Sequence, residues 1–113
     1  MSQVIVIGSG VGSLASALRL RAKGHHVKVF EAGAEVGGKL GVHKSGGYRW
    51  DTGPSLFTMP HFVDELFQLF NENPRGHFNY QKQKVVCNYF WEDGTRFSSN
   101  ASIEKFCSEA ADT

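Results

Sequence analysis

Gln3-Val4-Ile5-Val6-Ile7-Gly8-Ser9-Gly10-Val11-Gly12-Ser13 is a short apolar run that breaks into alternating small residues. The β-branched run, with no polar alternation, is the pattern of a buried parallel strand. Behind the glycines, Val11, Leu14, Ala15, Leu18 and Ala22 recur at helical spacing, with Arg19, Arg21 and Lys23 elsewhere on the wheel. Lys23 and Gly24 give that helix a basic last turn and a glycine stop. Val27 to Glu31 then reads as a second short strand ending in an acid. Strand, glycine turn, helix and acid-terminated strand together predict a Rossmann-like βαβ unit that holds an adenine dinucleotide. Gly8 permits the sharp exit from the strand, and Gly10 lets the backbone approach a pyrophosphate. The phosphates then face a helix N-terminus, where free N–H groups favour negative charge. Glu31, 19 residues after Gly12, is placed to accept from ribose hydroxyls and would repel a 2′-phosphate. Ser13 stands at the sixth position of the motif, where a glycine is usual for close helix-to-strand packing.

The remainder of the chain divides by composition. Eleven of thirteen glycines lie at or before Gly53, and eight of nine phenylalanines lie at or after Phe57. The first part is therefore built for tight turns and the second for burying apolar surface. At 113 residues and 12.5 kDa the chain has room for one domain. A compact domain of that mass exposes roughly 6,000 Å² of the roughly 18,000 Å² of its open chain. The formal charge of +1 gives no reason to expect a nucleic-acid partner. Cys87 and Cys107 are too few and too far apart for a disulfide framework and read as two free thiols. His25 and His26, adjacent in a turn with no cysteine or carboxylate cluster, read as solvated loop residues, and no metal site is expected. No stretch reaches the roughly 20 apolar residues of a membrane-spanning helix, and no cleavable leader stands at the N-terminus.

Beyond Glu31 the sequence continues Ala32-Gly33-Ala34-Glu35-Val36-Gly37-Gly38-Lys39, then predicts a hairpin through Leu40 to Lys44 and Gly47 to Trp50. Asp51-Thr52-Gly53-Pro54-Ser55-Leu56-Phe57-Thr58-Met59-Pro60 follows. Past it, His61 to Phe70 sets Phe62, Val63, Leu66, Phe67 and Phe70 on one stripe, a helix opened by Pro60. Packing against a core is the simpler role for that stripe, and lining an apolar tunnel the sharper one. Asn71 to Gln83 reads as a loop. Val85 to Trp91 and Arg96 to Ser98 flank Glu92-Asp93-Gly94-Thr95, a hairpin turn, and Ile103, Phe106 and Ala110 mark a last short helix.

This order of elements resembles the FAD-dependent amine oxidase and phytoene desaturase superfamily. The run from Asp51 to Pro60, the helix after it and Tyr89-Phe90-Trp91-Glu92-Asp93-Gly94-Thr95 are similar to the bacterial carotenoid desaturases. The resemblance implies FAD as cofactor, with Gly8, Gly10, Gly12 and Ser13 at the pyrophosphate and Glu31 at the adenosine ribose. It further implies Gly37, Gly38 and Lys39 along the FAD, and Asp51, Thr52 and Gly53 near its flavin end. The family's paired-glycine motif commonly ends in arginine, whereas Lys39 keeps the charge without the planar fork. Arg49 reads as a solvated charge on the hairpin.

The expected class is α/β: the βαβ dinucleotide-binding segment, a β-hairpin, an amphipathic helix and the start of a substrate-domain sheet. Residues 1–58 would be the N-terminal part of an FAD-binding domain, and residues 59–113 the opening of the substrate domain. Because the family's members are several times longer, the chain reads as a truncated, N-terminal segment. The implied reaction of the whole is phytoene-type desaturation by hydride transfer to flavin, with no catalytic acid or base identifiable here. Its partners would be an apolar polyene substrate, the remainder of the enzyme chain and, through that substrate, a membrane surface. A cytoplasmic, membrane-associated location goes with this reading. Two alternatives stand beside it: another enzyme of the flavin amine oxidase superfamily, and a stand-alone dinucleotide-binding or interaction module.

Overall fold

A computed structural model describes residues 1–54 and 56–111; Ser55, within the run quoted above, lies outside them, as do Asp112 and Thr113. Two compact units are present, Met1–His77 and Phe78–Thr113. The expected domain boundary between residues 58 and 59 lies inside the first unit.

In the first unit, β1 (Gln3–Ile7) pairs in parallel with β2 (His26–Phe30), from Gln3 opposite His26 to Ile7 opposite Phe30. Helix α1 (Val11–Ala22) makes the crossover and packs on both strands. Its end follows the expected chemistry: Lys23 is the C-cap, and Gly24 takes a φ of +86°. The second strand begins one residue earlier than expected and leaves Glu31 just beyond its end.

The helix is turned relative to the sequence expectation. Ala17 is its one buried residue, with Leu14 and Leu20 half-buried, whereas Val11, Leu18 and Ala22 are exposed. A 12-residue helix carrying apolar residues on two faces has no unique stripe, and here the face through Ala17 meets the sheet. The strands also differ from expectation. Val4 and Val6 are half-buried, but Ile5 and Ile7 on the opposite face are 65% and 86% exposed, because nothing among the described residues covers that face.

After an irregular stretch, β3 (Val42–Ser45) and β4 (Tyr48–Asp51) form an antiparallel hairpin with Ser45 opposite Tyr48. Its two-residue turn, Gly46-Gly47, has positive φ at both positions, as a turn matched to strand twist requires. Helix α2 (His61–Gln68) starts at Pro60 and reaches α1 through an ion pair between Arg19 and Glu65 at 3.6 Å. Val63, Leu66 and Phe67 are half-buried on it, while Phe62 and Phe70 are exposed. The segment read as a loop contains one helical turn, α3 (Pro74–His77), which Arg75 ties to Asp64 of α2 and His77 stacks on Phe67 with ring centroids 5.3 Å apart.

The second unit is a hairpin with a helix. β5 (Val85–Phe90) pairs antiparallel with β6 (Arg96–Asn100), with an irregularity between Val85 and Cys87. At the turn, Gly94 has a φ of +88° and the Thr95 N–H donates to Asp93 Oδ1 at 2.8 Å. Helix α4 (Ile103–Ala111) packs on β6, where the rings of Phe97 and Phe106 meet edge to face. Cys87 and Cys107 are free thiols.

Among the described residues only Ala17 is a buried apolar side chain and only Ser9 a buried polar one. The expected core is therefore small among the described residues: the three two-stranded sheets leave apolar residues such as Ile5, Ile7, Val42 and Phe90 exposed.

Candidate functional site

The turn between β1 and α1 is where the first unit becomes specific. Gly8 leaves the strand with a φ of +89°, and its N–H donates to the Phe30 carbonyl at 2.6 Å, holding the turn against the end of β2. A Cβ on Gly8 would lie 3.8 Å from the Ser13 hydroxyl, so the small residue at position 13 sits over the turn at ordinary contact distance. Gly10 is the N-cap of α1, extended at φ −66° and ψ 166°. No side chain caps the helix and no acid lies in its first turn, so the N–H groups that an α-helix cannot pair internally meet no anionic group of the protein's own.

The paired glycines come back onto this turn. Gly10 forms a parallel bridge with Gly37, and the Gly37 N–H donates to the Ser9 carbonyl at 2.9 Å. Gly38 approaches so closely that a Cβ on it would stand 3.1 Å from Gly10 Cα. The contact needs glycine on one side and open backbone on the other. From there the expected residues run on without a gap. Lys39 is exposed and uses its backbone: a Cβ on Gly53 would collide with the Lys39 carbonyl oxygen. The Thr52 N–H donates to the Gly41 carbonyl at 2.9 Å. Asp51, at the end of β4, pairs with Arg49 at 2.7 Å, both exposed, so Arg49 has a carboxylate partner on the same strand. Residues Leu40, Gly41, Val42, Asp51 and Gly53 border a groove of about 280 Å³ beside this junction.

Glu31 is held more firmly than its position predicted. Ser9 donates to its Oε2 twice, from the N–H and from the hydroxyl, each at 2.7 Å. The Gly33 N–H donates to Oε1 at 2.8 Å. These donors, Gly33 first and then Ser9, stabilise the ionised form and lower the Glu31 pKa from 4.5 to about 2. Because the folded value lies below the unfolded one, the stabilisation is complete above about pH 4.5 and is lost as pH falls toward 2. The stability difference between the protein and its Glu31→Gln variant should accordingly be flat from pH 8 to pH 5 and narrow below about 4.5, measured by urea unfolding across that range. A difference independent of pH down to the acid limit would contradict the assignment.

Of the residues expected from sequence, Gly8, Gly10, Glu31, Gly37 and Gly38 gather around one turn, with Gly12 and Ser13 in the first turn of α1. Lys39, Asp51, Thr52 and Gly53 extend from it as a backbone junction. Ser9 was not among them. Its signal in the sequence is slight, a hydroxyl between two glycines, and its partner lies 22 residues away.

Comparison with known proteins gives the family. The description of flavin containing amine oxidoreductases matches residues 14–112. The chain is 54% identical over 112 residues to a 1-hydroxycarotenoid 3,4-desaturase of a Flavobacterium species, covering 99% of this chain and 23% of that protein. It is 39% identical to a 4,4'-diapolycopene oxygenase of a Methylomonas species, over 82% of this chain and 19% of that one. A 4,4'-diaponeurosporene oxygenase of Staphylococcus aureus is 33% identical, over 90% and 20%. The chain thus spans about a quarter or less of the length of these curated relatives. Among solved structures, the PF1083 protein of Pyrococcus furiosus shares the fold, with a TM-score of 0.57 at 22% identity over 86% of this chain and 24% of that chain. A family match over most of the chain, with carotenoid desaturases and oxygenases among the relatives, places the sequence: the chain belongs to the flavin containing amine oxidoreductase family, whose cofactor is FAD.

Proposed function

We propose that this chain is the FAD-holding start of an oxidoreductase that desaturates a carotenoid of the phytoene type, with β1, α1 and β2 as the opening of a Rossmann-like domain. The observation that carries the reading is the empty side of Gly10. Its φ is negative, so the backbone does not require glycine, and a Cβ there would touch nothing within 4 Å. A side chain there would meet no neighbour within the protein, and the glycine makes sense where a ligand comes close from outside. An uncapped helix N-terminus beside that space fits the pyrophosphate of a dinucleotide.

In this reading the residues divide the work. Gly10, Gly12 and the first turn of α1 receive the pyrophosphate, with Gly8 and Ser13 shaping the turn beneath it. Glu31 accepts from the adenosine ribose. Gly37, Gly38 and Lys39 lie along the cofactor, and Asp51, Thr52 and Gly53 toward its flavin end. FAD, when bound, supplies the acceptor for a hydride. The chain itself contributes binding and orientation, through backbone groups set before the ligand arrives. The identity to a 1-hydroxycarotenoid desaturase supports a polyene as substrate. Such a substrate partitions into lipid, so peripheral membrane contact and a cytoplasmic location belong to the same proposal; no helix among the described residues is long and apolar enough to cross a membrane.

Two relatives are oxygenases, which favours one competing reading, oxygen insertion into a carotenoid. The test separates the two. The protein, purified at the length its source makes, is loaded with FAD and supplied with acyclic carotenoids in liposomes. Mass spectrometry of the extracted pigment should show loss of hydrogen in pairs. Gain of an oxygen atom would replace the proposal with the oxygenase reading, and unchanged pigment across acyclic carotenoids would remove the substrate class. If the liposomes float free of the protein, the membrane contact falls on its own.

A further inference from the structure

We propose that Ser9 is a positioning residue of the FAD site, saturating one oxygen of Glu31 so that the other is the one left to accept from the adenosine ribose. The inference rests on the FAD reading and deepens it. Ser9 is 1% exposed, so its hydroxyl reaches no ligand and acts only through what it holds. It holds Oε2 of Glu31, by two donors at 2.7 Å from a single residue. A carboxylate oxygen accepts about two hydrogen bonds in its plane, so Oε2 is full. Oε1 takes one bond, from Gly33 at 2.8 Å, and keeps one acceptor position. Gly33 belongs to the same device, because a Cβ on it would press to 3.3 Å from Oε1.

The arrangement addresses a physical problem. A glutamate side chain at the exposed end of a strand has many rotamers, and ordering it on binding opposes affinity. Donors from Ser9 and Gly33, with a weaker one from the Ala32 N–H, order it beforehand. They also limit it to one ribose hydroxyl, which makes recognition depend on one contact.

The experiment compares FAD with an analogue lacking the adenosine 2′-hydroxyl, both titrated by flavin fluorescence into apoprotein of the length the source makes. The unaltered protein should prefer FAD by about tenfold, the value of one hydrogen bond to a charged acceptor. Ser9→Ala keeps the backbone donor and removes the hydroxyl. It should weaken FAD roughly tenfold, leave the analogue nearly unchanged, and so collapse the preference. In a Glu31→Gln background, Ser9→Ala should cost less than about twofold, since the two residues act as one. Ser9→Cys, close in volume but a weak donor, should also lose the preference, which guards against a packing defect in the alanine variant. Equal weakening of FAD and analogue, or additive losses with Glu31→Gln, would overturn the proposal and leave Ser9 as a brace for the turn. Unaltered protein that takes up no FAD would instead overturn the reading beneath it, and the inference with it.

Discussion

Gly10→Ala should lower FAD affinity by about a hundredfold or more while leaving the unfolding free energy nearly unchanged, because the methyl group enters space that only a ligand would fill. The two effects separate for a structural reason. Alanine is compatible with a φ of −66°, so it restricts the unfolded chain by about 0.4–1 kcal/mol in favour of folding, while the poorer N-cap costs a few tenths to about 1 kcal/mol. These nearly cancel. At the ligand, by contrast, a Cβ stands between the backbone and a pyrophosphate that must lie against it. Urea unfolding and flavin titration on the same sample give both numbers. A variant that binds FAD normally would show that nothing approaches Gly10, and the cofactor placement would have to move.

Gly37→Ala should do the reverse at its root, lowering stability by about 2–4 kcal/mol and flavin affinity as a consequence. Gly37 has a φ of +111°, where a side chain is strained, and a Cβ there would lie 2.9 Å from the Leu40 carbonyl oxygen. Relief requires the backbone to shift. The residue that shifts is the one whose N–H meets the Ser9 carbonyl and which bridges to Gly10, so the turn under the phosphates loses its support. The urea midpoint of Gly37→Ala should fall clearly below that of Gly10→Ala. If the two variants were equally stable, the contact between the glycine pairs would carry no energy.

The pair of substitutions also shows what could be read from sequence and what could not. Strand β1, the C-terminal cap of α1 and the second hairpin turn were legible because each is set by neighbours within a few residues: the β-branched run, Lys23-Gly24, Asp93-Gly94; the first hairpin was expected with Gly47 in its second strand, whereas Gly46-Gly47 forms the turn. Gly8, Gly10, Gly12 and Glu31 stood out by motif spacing, and Gly37 to Lys39 and Asp51 to Gly53 only through the family resemblance. Their meeting was not, since Gly10 and Gly37 are far apart in sequence and no local preference brings glycines together. Ser9 escaped for the same reason, its meaning lying in a carboxylate 22 residues on. The rotation of α1 was unreadable because two apolar faces competed, and the exposure of Ile5 and Ile7 because an apolar strand does not encode what covers it. The phenylalanine-rich half told least. Its rings found partners such as Phe97 with Phe106, but Phe62, Phe70 and Phe90 stay largely exposed, so composition alone overstated the core.

The bond from Gly37 to the Ser9 carbonyl has a further consequence for the order of folding. It closes a loop of fewer than thirty residues, and the Glu31 clamp closes a shorter one inside it. Closure entropy rises by only about 0.6 kcal/mol per doubling of length, and short closures precede long ones in time. The turn from Gly8 to Gly38 is thus encoded by one continuous stretch, and its parts need no distant sequence to come within reach. Closures as local as these are expected to form before contacts between segments far apart in sequence.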